Sequence, residues 1–518
     1  MAKELKNKEQ NRDNKKPLKI EWIILFGSII LFSCCYLYAD LPFTSAAGLR
    51  VWNCIAEGNF SLFYWSSYPG VENSALPYGS AGGEYDFLIY AIYAVYMLPM
   101  WIWEKITGFS FILFYPTRLY VKGSIWLFSA ISAFFIYKIA LQCGCKKENA
   151  VWASVLFLSS GIFFATEVTI GGYDIISVAF SLLGIYGFLK KNDKCFLISF
   201  AVAIATKLFA FWLFIPLLLL REKKVWRLIW KTLLTLSAII VPKLYFALAS
   251  QKRMAREIQL LAEDSGNSTV SVENVPMAVN DTIAHSDVIN DAIFPTDYTA
   301  NYTFLSLNNL PLVFVGMFAI WICCYLIKRE LTGIEVIYLC TLVMSVFIAT
   351  VKIHPYWGIL MVPYLSLIVV LNPKHLKENL LLETLISVGY VINKAILYPW
   401  CFSMAQIERM VGPNYIFGYD RENTNISRYG LEGLVYKLSE KIEISENNIA
   451  HMFSALFVVA TAMLLYLNWP TRMEKEEDYI GEKEGFRKAM LLRFLFSLFV
   501  AVLPIIGLLM YISPYTWG

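Results

Sequence analysis

Acids and bases stand at the ends of apolar segments in this chain, where a charge is costly and tends to line a functional cavity. Lys207, Lys243, Lys352 and Lys394 each interrupt or close an apolar stretch, and Arg118 and Lys122 flank the start of another. Cations gathered at one membrane boundary offer point charges to an anion, above all a phosphate. Carboxylates stand at neighbouring positions. Asp40 follows the first apolar segment, Glu84 and Asp86 form an acid-x-acid pair, and Asp174 follows Gly171-Gly172-Tyr173. A carboxylate so placed can take a proton from a hydroxyl. The combination suggests chemistry on a lipid-linked phosphate. Each residue also has a plainer reading. Asp40 is then a helix-end charge, Glu84 and Asp86 are solvated loop acids, Asp174 is a helix cap, and Lys207 is a snorkelling side chain. His354 sits beside Lys352 in the unusual cluster His354-Pro355-Tyr356-Trp357 and is a ligand candidate.

The elements that must position these residues are membrane helices. The 518 residues are 58% hydrophobic and 16% charged, with a mean hydropathy of +0.54, which excludes an ordinary soluble protein. The fold expected is all-α, a polytopic bundle of about 13 crossing helices. Apolar spans run over 20–38, 121–142, 150–167, 173–190, 229–248, 308–327, 332–351, 356–372, 379–398, 448–468 and 489–512. The stretch 195–220 is expected to form two short helices, since one continuous helix would bury Lys207 in mid-membrane.

The loop charges set the orientation. Lys146-Lys147, Lys190-Lys191, Arg221 to Arg227, Lys328-Arg329, Lys374 to Lys377 and Arg472 to Arg487 share a side with the Lys-rich tail 1–19 if residues 87–103 do not cross. Basic loops mark the cytoplasm. The predicted arrangement therefore has a cytoplasmic N-terminus and an uncleaved first helix. Residues 87–103, rich in Tyr and Trp, then form an interfacial helix outside. Loops 40–120, 250–307 and 399–447 are external, and so is the cluster of acids and bases. Residues 45–58 read as a short amphipathic surface helix that would hold Asp40 over the mouth of the bundle.

Other chemistries find little here. The ten cysteines show no metal-ligand spacing, and with four histidines a zinc enzyme is not expected. No glycine-rich phosphate loop is present. A net charge of +4 over this length does not point to nucleic acid.

The layout of motifs resembles the GT-C superfamily of integral membrane glycosyltransferases. It comprises a long first external loop opening on Asp40 and carrying Glu84-Tyr85-Asp86, then Gly171-Gly172-Tyr173-Asp174, Ala205-Thr206-Lys207 and His354-Pro355-Tyr356-Trp357. The resemblance covers mainly residues 20–250. It implies a catalytic transmembrane module over 20–249 and external juxtamembrane helices in the first loop, with a second transmembrane module over 308–518. It further implies inverting transfer of a sugar from a polyprenyl-phosphate donor to a glycan, lipid or protein acceptor on the non-cytoplasmic face, which for a bacterial chain means the plasma membrane. By that resemblance Asp40 is the catalytic base, and Glu84 and Asp86 are the family's acid-x-acid pair. The residues themselves suggest Asp174 for acceptor or sugar binding, Lys207 for the donor phosphate, His354 as a ligand, and Arg118, Lys243, Lys352 and Lys394 as further cations for a lipid phosphate. Asp40 departs from the family in having no adjacent second acid, which leaves a divalent cation as an option and not a requirement. A transporter or flippase of lipid-linked glycans, and a polymerase or ligase of cell-surface glycans, are the rival readings.

Overall fold

In the computed structural model, residues 19–37, 40–65, 85–108, 115–264, 306–307, 310–351, 354–398, 431–472, 480–482 and 485–512 are described. They are helical apart from a two-residue antiparallel pairing of Ser306–Leu307 with Leu310–Pro311. The helices are α1 (Lys19–Cys35), α2 (Asp40–Ala56), α3 (Phe87–Thr107), α4 (Tyr115–Gln142), α5 (Lys147–Leu158) and α6 (Gly161–Phe163), which runs into a π-helical turn over Phe164–Ile170. Then come α7 (Asp174–Leu189), α8 (Asp193–Thr206), α9 (Ala210–Arg221) and α10 (Val225–Asp264). The second half holds α11 (Leu312–Leu326), α12 (Gly333–Thr350), a 3-10 turn over Pro355–Leu360, α13 (Val362–Leu371), α14 (Leu376–Leu397), α15 (Leu431–Ile442), α16 (Glu446–Leu467) and α17 (Phe486–Ile512).

Among the described residues seven helices are long and apolar enough to cross a membrane, or eight if the bent pair of Lys147–Leu158 with Gly161–Ile170 is one span. Shorter apolar helices accompany them, so this is a multi-pass membrane protein by length and composition, while about 13 crossings is more than those lengths establish. The 21-residue α3 is itself long and apolar enough to cross, so the interfacial placement of 87–103 rests on loop charge and not on helix length. The expected break in 195–220 is present: α8 ends at Thr206 and α9 begins at Ala210.

Helix α13 is buried on every side, as a helix apolar all round must be when it sits at the centre. The expected helix over 45–58 is present as part of α2. Ser45 to Val51 are buried against α3, where Gly48 lets the backbones meet, and residues 55–58 are exposed. A Cβ at Gly48 would come within 2.8 Å of the Tyr93 carbonyl. The Trp52 indole seals the contact by donating to the Ala94 carbonyl at 2.7 Å.

Ion pairs fix which loops share an end. Arg221 and Lys231 both meet Asp193, and Lys191 meets Glu330, at 2.7, 3.3 and 2.7 Å. The basic loops at 190–193, 221–227 and 328–335 therefore lie together. Trp22, Trp152 and Phe486 form a ring cluster near the starts of α1, α5 and α17, so these three helices begin at one level. Near this cluster lies a cavity of about 260 Å³, lined by Trp22, Trp152, Ser159, Phe486, Arg487 and Met490 among others. It is remote from the residues singled out for chemistry.

Candidate functional site

Helix α8 starts at Asp193, among the basic loops, and its 14 residues carry the chain about 20 Å along the bundle before Lys207 ends it. Lys207 is extended (φ −156°, ψ 114°), its N–H still bonded to the Ala203 carbonyl. That break turns the side chain inward. Its Nζ lies 2.9 Å from Asp174 Oδ1 and donates to the Tyr173 hydroxyl at 3.2 Å. Lys207 is therefore not the lone buried cation suggested by its apolar surroundings. The rings of Tyr173, Tyr85, Trp357 and Tyr356 face the ammonium at 4.8, 5.4, 5.4 and 5.6 Å. Such contacts are worth up to about 2 kcal/mol each when desolvated.

Asp174 reaches this position through a glycine turn. Gly171 has φ +75°, a left-handed conformation that suits glycine, and both Gly171 and Gly172 donate N–H bonds to the Thr166 carbonyl at 2.8 and 3.1 Å. The turn closes the π-helical segment and starts α7. Tyr173 takes the cap position and Asp174 is the first helical residue, with no side-chain capping bond at this end. The capping reading of Asp174 gives way to an ion pair, although a carboxylate here still suits the helix dipole.

The π-helical turn adds a carboxylate that sequence reasoning missed. Glu167 is 2% exposed, and neither of its oxygens meets a hydrogen-bond donor among the described residues. The neighbouring Thr166 hydroxyl donates instead to the Ile162 carbonyl at 2.9 Å. Glu167 lies in the field of Lys122 and of Asp174. Lys122, fully buried on α4, donates to the Val168 carbonyl at 3.0 Å. The available signal was an acid at the end of an apolar span, four residues before Gly171-Gly172. π-helical turns are frequent at functional sites.

The remaining expected residues divide. Asp86 pairs with Lys243 at 3.1 Å, and burial raises its carboxyl above the usual range while Lys243 opposes the rise. Its neighbour Tyr85 stacks edge-on against Tyr173 at 5.2 Å, so this pair adjoins the Lys207 box. His354 opens the 3-10 turn and lies against Tyr356, Trp357 and Tyr398. Its Nδ1 is buried without a hydrogen-bond partner among the described residues. Burial, and then the charges of Lys207 and Lys394, depress its pKa below the ordinary histidine value. Lys394 is buried on α14 beside the rings of Tyr390 and Tyr398, at 5.6 and 5.5 Å, and not at an open mouth. Arg118 stands in the first turn of α4. Asp40 opens α2, but its side chain, like Glu84 and Lys352, lies outside the described residues.

Cys34, near the end of α1, is in the field of Lys122, and its carbonyl accepts from the Tyr115 hydroxyl at 3.1 Å. The start of α2 thus follows closely on the end of the bundle that holds the cluster. Among the described residues no three His, Cys, Asp or Glu side chains come together to hold a metal. The chain matches no family model, no curated protein and no solved structure.

A second buried pair was also missed. Arg493 of α17 meets Glu383 of α14 at 2.5 and 2.9 Å and donates to the Ser159 hydroxyl and the Leu156 carbonyl. These partners lie at the 44° bend between α5 and α6. The signal was an acid within one apolar span, 379–398, and a lone arginine within another, 489–512.

Proposed function

We propose that this protein is a membrane glycosyltransferase of the GT-C type, moving a sugar from a polyprenyl-phosphate donor to an acceptor on the non-cytoplasmic face. The observation that carries this reading is the Lys207 box: an ammonium at a helix break, beside Asp174, within four aromatic rings and next to the Asp86–Lys243 pair. Cations in a low-dielectric setting stabilise charge growing on a leaving phosphate. Asp40 takes the proton of the acceptor hydroxyl as the oxygen attacks the anomeric carbon. The bond from that carbon to the phosphate oxygen breaks, its electron pair stays on the phosphate, and polyprenyl phosphate leaves against Lys207. The single displacement inverts the centre. Tyr85, Tyr356 and Trp357 give the sugar ring apolar faces, and His354 stays neutral beside two lysines. A divalent cation is compatible with this scheme and no step is routed through it.

The test is transfer by purified protein from a labelled polyprenyl-phosphate sugar. Asp40→Asn is expected to stay folded and lose about 10²–10⁴-fold in rate, the usual worth of a positioned base. Near-normal turnover in that variant would reduce Asp40 to a helix-end charge.

One set of observations favours the rival reading of a transporter or flippase of lipid-linked glycans. Asp174–Lys207 and Glu383–Arg493 are charge pairs buried within the bundle, as in proteins that move ions or substrates across it. Lipid scrambling by reconstituted protein, without any glycosidic bond made or broken, would select that reading. A polymerase or ligase of cell-surface glycans would share the donor chemistry and differ in the acceptor captured.

A further inference from the structure

The salt bridge at the centre of the site has a consequence for any anion that uses Lys207. The two side chains are 5% and 0% exposed, so the pair is sealed from water. An ammonium has three protons to give. One faces Asp174 Oδ1, another reaches the Tyr173 hydroxyl at 3.2 Å, and the rings of Tyr85, Tyr356 and Trp357 close in from 5.4 to 5.6 Å. While Asp174 holds its place, a phosphate oxygen must compete for Lys207 with a carboxylate already 2.9 Å away.

Glu167, on the π-helical turn, lies in the field of both Asp174 and Lys122. Its own oxygens meet no donor among the described residues, so Lys122 is the cation that serves this side of the cluster. On the other side, His354 lies in the field of Lys207 and Lys394. Asp174 and Lys207 thus form the centre of the cluster, with Glu167 and Lys122 on one side and His354 and Lys394 on the other.

We propose that Asp174 is a built-in competitor for the donor's phosphate: the incoming lipid phosphodiester displaces it from Lys207, and its return expels polyprenyl phosphate after transfer. This rests on the transferase reading and adds an exchange step to it. Asp174 is then a positioning residue that sets how tightly Lys207 holds phosphate, in place of the substrate-binding role the sequence suggested. The site binds only in the fraction of molecules whose Lys207 is uncovered, and apparent affinity is reduced by that fraction.

The experiment is titration of purified protein in detergent with a polyprenyl phosphate, with inorganic phosphate in parallel. Asp174→Asn keeps the shape and deletes the competing charge. If Lys207 is uncovered in about one molecule in ten, the variant binds the lipid phosphate about tenfold more tightly. In pre-steady-state transfer with donor in excess it shows a burst followed by a slow steady state, because product release now limits. Lys207→Met, alone or with Asp174→Asn, loses the tight binding, and Glu167→Gln does not reproduce the gain. Folding of each variant is checked by thermal melting. An independent readout uses the wild type with isotope-labelled aspartate, where an infrared carboxylate band shifts when the lipid phosphate is added.

Equal or weaker binding by a folded Asp174→Asn, or an unmoved infrared band on binding, overturns the competitor role and leaves phosphate binding at Lys207 standing. A gain for inorganic phosphate without one for the lipid overturns the lipid as the ligand. Failure of the wild type and every variant to bind polyprenyl phosphate removes both this role and the transferase reading.

Discussion

Arg493→Met should destabilise this protein more than most single changes, because it strands a carboxylate inside the bundle. Arg493 and Glu383 are each 1% exposed. The guanidinium donates two bonds to the carboxylate, at 2.5 and 2.9 Å, and further bonds to the Ser159 hydroxyl and the Leu156 carbonyl. Without it Glu383 keeps the Ser160 hydroxyl at 2.9 Å and a long contact with Ser387 at 3.4 Å. Hydrogen bonds to charged groups are worth about 1.5–3 kcal/mol each, so two of them give about 3–6 kcal/mol. Breaking one side of a buried ion pair costs about 3–5 kcal/mol, which agrees. In a chain of this size that loss lowers the melting temperature by an amount on the order of 5 °C. Intrinsic fluorescence during heating reads this, with inactivation half-life at fixed temperature alongside, since unfolding in detergent is often irreversible. Replacing both partners, Arg493→Met with Glu383→Leu, should recover most of the loss, because an apolar pair has no stranded charge. A single variant melting within about 1 °C of wild type would refute the reasoning. So would a double variant worse than the sum of the singles.

Two further outcomes are expected. In a background lacking reactive native cysteines, Thr107→Cys, exposed at the end of α3, should react with an impermeant thiol reagent added from outside. Labelling only after permeabilisation would mean that α3 crosses. His354 has a depressed pKa, so the unfolded chain binds its proton first as pH falls. Its contribution to stability is full above the ordinary histidine value and is lost as pH falls from there toward the depressed one. Melting measured against pH should slope in that window, and His354→Gln should flatten the slope. An unchanged slope would assign it to another group.

The elements were more legible in the sequence than the pairings. The break at Lys207 could be read because a lysine in an apolar stretch forbids a straight span, and the structure breaks there. Helix ends near Arg221, Lys328 and Lys374 followed from charge in the same way. The partner of Lys207 was hidden. Asp174 lies in another helix, and only the fold around the Gly171 turn brings it within 2.9 Å. Glu167 was passed over because one acid barely lowers the apolarity of a long span, and its importance appears only once the π-helical turn buries it beside Lys122 and Asp174. The helix over 45–58 was legible from its amphipathic pattern, but its partner was not, because only the fold brings Gly48 and Trp52 onto α3.

The bend between α5 and α6 also sets an order in time. Its Leu156 carbonyl is met by Arg493, 337 positions later in the chain. At a synthesis rate of about 5–20 residues per second, the bend waits roughly 20–70 s for its partner. Glu383, made 110 positions before Arg493, waits without its cation for roughly 6–20 s of that interval. The arrival of α17 joins the bend and α14 in one step. A cell that removes membrane proteins with exposed intramembrane charges would therefore discard chains stalled before Arg493 and keep those that pass it.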